Sequence, residues 1–360
     1  MFKFNIAILL FAVLFFASQV QAQDPQDEPI KLKSDLVMVT ASVIDRTGRV
    51  MKSLKADDFT IYEDGVKQRI EHFASTAEPF TLMLLLDLSG STQNDLALIK
   101  QAAKNFIAEL RAQDKVAVII FSGEVELIAD FKDSRESVLQ AIEKLAPVSS
   151  PEGYRFSAKT GTSFYDAMFL AVEDSPMKTI EGRKAIVCMS DGVDSTSKMD
   201  YADISQLVEK SEASVYFLEL NTEAATLANL LKDKADPAYL NFSPGQINRY
   251  YDEYAPEAME KHLPRDLLPK EEKEKINIGL YKIARRDMKE LAERTGGREY
   301  PVRTLNDLSG VYKQVADDLR AQYSIGYYPT NDKHDSTWRA IKVESKKGGT
   351  VRARSGYWAK

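Results

Sequence analysis

The sequence predicts a doubly wound α/β domain, a mostly parallel sheet with helices on both faces, inserted in a small β-sandwich formed by the chain's two ends. Three observations carry this. Four apolar runs, residues 82–86, 116–121, 185–189 and 215–220, lack polar alternation and so suit strands buried on both faces. Helical periodicity fills the gaps, at Leu96, Ile99, Ala103, Phe106 and Leu110, at Val138, Ile142 and Leu145, and at Leu305, Leu308, Val311, Val315 and Leu319. Such strand–helix alternation builds a parallel sheet. Both ends, residues 34–78 and 323–360, are β-rich, and each alone has too few strands to be stable.

The first 22 residues carry Lys3, an apolar stretch over residues 6–16, and Val20 and Ala22 ahead of Gln23. This pattern predicts a signal peptide cleaved near Ala22, since the apolar core falls short of the roughly 20 residues of a bilayer span. No cysteine follows the run, which argues against a lipid-modified N-terminus. The mature chain is therefore expected to be soluble, without a transmembrane segment, and periplasmic or secreted. Residues 36–44 and 59–70 then supply strands, with Asp64-Gly65 between alternating runs as a tight type I′ hairpin.

The α/β domain is expected over residues 79–322. Residues 125–131 follow the second strand after only Ser122-Gly123-Glu124, which permits a hairpin and one antiparallel strand. An insertion with short helices is expected at about 222–278, where prolines and tyrosines gather and where the charge run 270–275 reads as a solvated helix face. Regular packing resumes over residues 284–294, Gly296-Gly297 stops that helix, and residues 298–302 form a short strand. In the last stretch, strands are expected at 323–328, 338–344 and 351–358, with Lys347-Gly348-Gly349 as the turn between the last two.

Composition narrows the chemistry. Across 360 residues, 48 Lys plus Arg stand against 54 Asp plus Glu, a net charge of −6, which argues against nucleic acid as a partner. A single cysteine, Cys188, excludes an intrachain disulfide and any multi-cysteine metal site. It sits in an apolar string and reads as a small buried hydrophobe. His72, His262 and His334 have no motif around them.

One constellation remains. Asp87-Leu88-Ser89-Gly90-Ser91 ends the first buried strand, Thr162 lies in Thr160-Gly161-Thr162-Ser163 at a helix start, and Asp191 follows the third buried strand in Ser190-Asp191-Gly192. Ligands of open α/β sheets bind beyond the carboxyl ends of strands where strand order reverses, and these pieces converge there. Two carboxylates with hydroxyls and water make an all-oxygen, octahedral site suited to Mg²⁺ or Mn²⁺. Taken alone, Asp-x-Ser-x-Ser also reads as a helix N-cap.

Asp-x-Ser-x-Ser at 87, 89 and 91, a separate Thr162, and Asp191 in Ser-Asp-Gly resemble the metal-ion-dependent adhesion site of von Willebrand factor type A domains, over roughly residues 78–322. The resemblance implies that Ser89, Ser91 and Thr162 ligate the metal directly or through water. It implies also that Asp87 and Asp191 hold coordinated waters, and that a partner's carboxylate fills the open position. Asp95 falls where integrin β domains keep a second metal, and it equally satisfies the dipole of its helix. The flanks, with Asp-Phe-x-Ile-Tyr-Glu-Asp-Gly at 58–65, Gln322-Tyr-Ser-Ile-Gly-Tyr-Tyr-Pro and Arg354-Ser-Gly-Tyr, resemble an exported bacterial von Willebrand A-related family. By analogy with integrins, a shift of the helix over residues 305–319 would reach the second domain through Tyr323.

The expected function is an exported, non-enzymatic module that captures an acidic protein ligand through a bound cation. Tyr239, Phe242, Tyr250, Tyr251 and Tyr254 of the insertion either rim the metal as partner anchors or form the insertion's own core. One competitor is an envelope scaffold with a structural metal. A metal-dependent phosphoester hydrolase is the other, but Ser89 stands where a second acid would be needed, and no His or Lys motif offers an acid or base.

Overall fold

The structure, a computed structural model, describes residues 36–75, 78–90, 92, 96–145, 161–232, 242–258, 263 and 267–359. The chain divides into two compact units, residues 1–34 and 35–360; the described residues all belong to the second. The expected signal peptide, residues 1–22, lies outside them.

The central sheet has six strands: β5 (Phe80–Asp87), β6 (Lys115–Phe121), β7 (Val125–Ala129), β8 (Arg183–Ser190), β9 (Ser214–Leu220) and β10 (Arg298–Val302). Their order is β10-β9-β8-β5-β6-β7, parallel throughout except that β7 runs antiparallel to β6. The eight residues of β5 are all buried, because alternate side chains enter two different cores. Leu82, Leu84 and Leu86 meet α1 (Leu96–Glu109), α2 (Arg135–Glu143) and α8 (Leu308–Arg320), with Phe106 and Tyr312 stacked at 4.7 Å. Met83 and Leu85 meet α3 (Phe164–Phe169), α4 (Tyr201–Ser211) and the second half of α7 (Lys270–Thr295). The chain leaves β5 toward β6 and later returns to build β8 on its other side. The strand order therefore reverses between β5 and β8, which opens a crevice at their carboxyl ends.

Two antiparallel sheets of four strands enclose a separate core, with Val39, Ile61, Ile325 and Val343 among its residues, and each sheet mixes both ends of the chain. One has the order β13-β1-β11-β4, from β1 (Val37–Ile44), β4 (His72–Ser75), β11 (Tyr323–Tyr327) and β13 (Thr350–Ala353). The other has the order β14-β12-β2-β3, from β2 (Phe59–Glu63), β3 (Val66–Gln68), β12 (Trp338–Ser345) and β14 (Gly356–Trp358). Val39 lies opposite Ile325 and Ile61 opposite Val343, so neither end completes a sheet without the other. Tyr323 ties the sandwich to the loop after β1: its hydroxyl accepts from Leu54 N at 3.0 Å and donates to Met51 O at 2.9 Å. Asp64 and Gly65 both have positive φ, 48° and 81°, as a type I′ hairpin between β2 and β3 requires.

Two sequence expectations change. The turn at Lys347-Gly348-Gly349 does not fold β12 back on its neighbour. It carries the chain to the opposite sheet, where β13 pairs with β1, before β14 returns to pair with β12. The expected strand 351–358 is thus two strands divided between sheets. The charge run 270–275 and the segment 284–294 belong to one continuous helix, α7, so residue 278 is mid-helix rather than a boundary. Among the described residues the insertion also has the helices α5 (Glu223–Leu230) and α6 (Pro244–Tyr254).

Candidate metal centre

Asp87 is the last residue of β5, and Asp191 follows the last residue of β8, the neighbouring strand. Both are buried, at 1% and 7% exposure. Asp87 Oδ1 accepts from Ser89 N at 2.9 Å, and its Oδ2 accepts from Ser190 Oγ at 2.6 Å. Ser190 Oγ in turn accepts from Gly192 N at 2.9 Å, which links the two strand ends through one hydroxyl. Asp191 Oδ1 accepts from Val193 N at 3.0 Å; its Oδ2 accepts from the hydroxyls of Thr222 and, at 3.4 Å, Tyr281.

These partners are neutral amides and hydroxyls. Burial and the neighbouring charge of Asp191 push the Asp87 carboxyl up to about 7. Burial pushes Asp191 up as well, the bonds from Thr222, Val193 and Tyr281 and the charge of Arg285 opposing it. Arg285 is itself engaged with Glu219 at 2.7 Å and Glu223 at 2.8 Å. Two close buried carboxylates with neutral hydrogen-bond partners fit a cation: it would offset the repulsion and the desolvation together, with oxygen donors of the hard type that Mg²⁺ or Mn²⁺ prefers.

Ser89 is buried beside Asp87. Thr92 pins the loop that carries Ser89, since its hydroxyl lies 2.9 Å from both Asp87 O and Ser89 O. Thr162 is buried, and its backbone is clamped by the loop after β8: Thr162 N donates to Ser195 Oγ at 2.7 Å, while Ser195 N donates to Thr162 O at 2.9 Å. The next residue, Ser163, donates its N–H to Ser122 O at 2.6 Å just beyond β6. Thr162 is thereby fixed between the loops that follow β6 and β8. Ser91, Asp95 and Tyr239 lie outside the described residues. Among the described residues no three His, Cys, Asp or Glu side chains converge; the centre has two acids, and the remaining donors are hydroxyls.

Of the two readings of the insertion's aromatic residues, the insertion's own core holds for three of the five. Phe242, Tyr250 and Tyr251 are 3%, 9% and 1% exposed, packed with Ile247, Leu268, Ile276 and Leu280 into the insertion's own core. Residues 247, 250 and 251 stand at helical spacing, which makes the buried stripe of α6. Tyr254, the last residue of α6, is 47% exposed. Cys188 is buried, as expected, and burial pushes its thiol well up.

The sequence reading missed Ser190, Thr92, Thr222 and Tyr281. Ser190 and Thr222 had a usable signal, because each stands at or just beyond the carboxyl end of a buried strand. Tyr281 comes from α7, distant in sequence, and had none.

The site is a buried acid pair at the switch point of an open, mostly parallel sheet, the place where ligands of such sheets generally bind. Residues 82–193, within the α/β part of this chain, match the family model of the von Willebrand factor type A domain. Solved structures similar to the chain include proximal thread matrix protein 1 from the mussel byssus with a zinc-occupied MIDAS motif, at 13% identity and TM-score 0.44, covering 71% of this chain and 49% of that one. An aerotolerance-related membrane protein from Bacteroides fragilis matches at 16% identity and TM-score 0.39, covering 67% and 98%. A von Willebrand factor type A structure from Catenulispora acidiphila matches at 10% identity and TM-score 0.42, covering 91% and 73%. The chain spans about half the length of the mussel protein structures. No curated protein matches.

Proposed function

We propose that the protein is an exported, metal-dependent protein-binding module that captures an acidic group of a protein ligand through a Mg²⁺-type cation, with Mn²⁺ as an equivalent. The observation that carries this reading is the buried pair Asp87 and Asp191, on adjacent strand ends with neutral hydrogen-bond partners. Asp87, Ser89, Ser91, Thr162 and Asp191 would hold the cation. When bound, it supplies a positive centre that attracts a carboxylate. The chain's residues do the positioning: Ser190 ties the two strand ends together, Thr92 fixes the Ser89 loop, and the 195–196 backbone fixes Thr162. Asp95 is assigned to its helix dipole rather than to a second metal.

The match of residues 82–193 to a family whose domains often serve as metal-dependent interaction modules supports this reading. An extracytoplasmic location is part of the proposal and rests on the leader pattern of residues 1–22. No helix among the described residues is long and apolar enough to cross a membrane.

Water-proton relaxation with Mn²⁺ tests the carboxylate half of the proposal. Bound Mn²⁺ with exchangeable water should enhance relaxation, and a glutamate-rich peptide should reduce that enhancement as its carboxylate replaces water on the ion. An enhancement that acidic peptides leave unchanged would make the cation structural and the protein an envelope scaffold.

A further inference from the structure

The insertion is built onto the carboxylate loop of the metal centre. Gly192, at φ 70°, lies under α7, where an added Cβ would come within 2.8 Å of Met288 Sδ. Val193 is buried in the insertion's own core with Leu230, Tyr251 and Leu280. Of the two residues that follow Asp191, Gly192 thus lies against the sheet-covering half of α7 and Val193 lies in the insertion's core.

Hydrogen bonding makes the same connection. Thr222 occupies the N-cap position of α5, where a threonine side chain ordinarily accepts from the first-turn amides and contributes about 1 kcal/mol. Its side chain makes no such bond. The hydroxyl donates instead to Asp191 Oδ2 and lies 2.7 Å from Tyr281 OH, which in turn lies 2.9 Å from Thr226 Oγ1. The chain Asp191–Thr222–Tyr281–Thr226 is buried or half-buried throughout and joins the end of β8 to α5 and α7. A helix cap has been given up for a bond to a carboxylate that the proposed cation would use.

We infer that Thr222 and Tyr281 are positioning residues for Asp191, through which the insertion sets the affinity of the metal centre. This deepens the metal reading and rests on it. Hydrogen-bond partners that orient a metal-binding carboxylate typically change affinity by about 10–100-fold when removed. Because Tyr281 belongs to α7, a ligand that displaces that helix would change metal affinity, and bound metal would change affinity for that ligand by the same factor.

The test is calorimetric titration of Mg²⁺ into the purified protein and its Thr222→Val, Thr222→Ser and Tyr281→Phe variants, with unfolding midpoints measured without metal. Thr222→Val and Tyr281→Phe should each weaken Mg²⁺ about tenfold or more, and Thr222→Ser should restore wild-type affinity because the hydroxyl is kept. A merely structural role would lower the metal-free midpoints and leave the affinities of the folded variants at the wild-type value, which overturns the inference. Equal losses in the Ser and Val variants also overturn it, since the hydroxyl that Ser keeps would then contribute nothing. Wild-type protein that binds no Mg²⁺ overturns the metal reading and the inference with it.

Discussion

Asp287→Ala is expected to lower the unfolding free energy by about 3–5 kcal/mol, the cost of breaking a buried ion pair by removing one partner. Asp287 is completely buried in α7. Its Oδ2 accepts from Tyr165 OH at 2.8 Å and from the Arg249 guanidinium, and its Oδ1 accepts from Arg286 Nε at 3.1 Å. Arg249 comes from α6, Tyr165 from α3, and the Arg249 guanidinium lies 5.1 Å from the Tyr165 ring. One carboxylate thus joins the insertion, the helix that follows Thr162, and the sheet-covering half of α7. Removing it leaves a guanidinium only 28% exposed without its counter-ion. Arg286 is about half exposed and adds little, as surface pairs do.

Urea denaturation followed by far-ultraviolet circular dichroism measures the loss. Adding Arg249→Met to Asp287→Ala should recover part of it, because the second change removes the stranded charge. Additive losses would show that the pair is not the source of the effect.

Gly297→Ala is expected to cost about 3 kcal/mol, at the upper end for overpacking. Gly296, at φ 75°, and Gly297 close α7 with paired backbone bonds, Gly297 N to Ala292 O at 2.9 Å and Gly296 N to Glu293 O at 3.3 Å. This is a Schellman-type stop, in which the left-handed residue suits glycine. Gly297 itself is needed for a different reason: a Cβ there would overlap the Val215 carbonyl of β9. The obstacle is backbone, so no side-chain rotation relieves it. Val215 is also held at its N–H, which donates to Thr295 Oγ1 at 3.0 Å. The strand β10, paired with β9 from Arg298 onward, would have to shift. Denaturation midpoints for Gly297→Ala and, as a milder control, Gly310→Ala in α8 test this, because an added Cβ at Gly310 meets nothing within 4 Å. Equal midpoints in wild type and Gly297→Ala would refute the packing argument.

These two sites also show what sequence can reveal. The Gly-Gly stop was legible because helix termination is local chemistry, and so was the Asp64-Gly65 hairpin. The acid pair was legible because strand ends at a switch point follow from topology, once four apolar runs have been read as parallel strands. The turn at Lys347-Gly348-Gly349 was legible as a turn, but the strand after it was read as one where there are two: local signals say that a chain reverses, not which sheet receives it. The insertion was read by its prolines and tyrosines, so the helical spacing of Ile247, Tyr250 and Tyr251 went unused and a buried stripe was taken for a possible rim. The run Ile276, Leu280, Ile283 likewise continues α7 across the expected boundary at 278. Asp287 and Tyr281 had no readable signal, since their partners come from distant segments and only the folded chain brings them together.

The central claim is that the crevice above β5 and β8 holds a divalent cation. The most direct measurement is calorimetric titration of Mg²⁺ and of Mn²⁺ into the purified protein, with Asp87→Ala as the control. Saturable binding of about one ion per chain, abolished in Asp87→Ala while the fold is retained by circular dichroism, is the predicted result. Binding that persists unchanged in Asp87→Ala would place the ion elsewhere, and no binding of either ion to the wild-type protein would contradict the account.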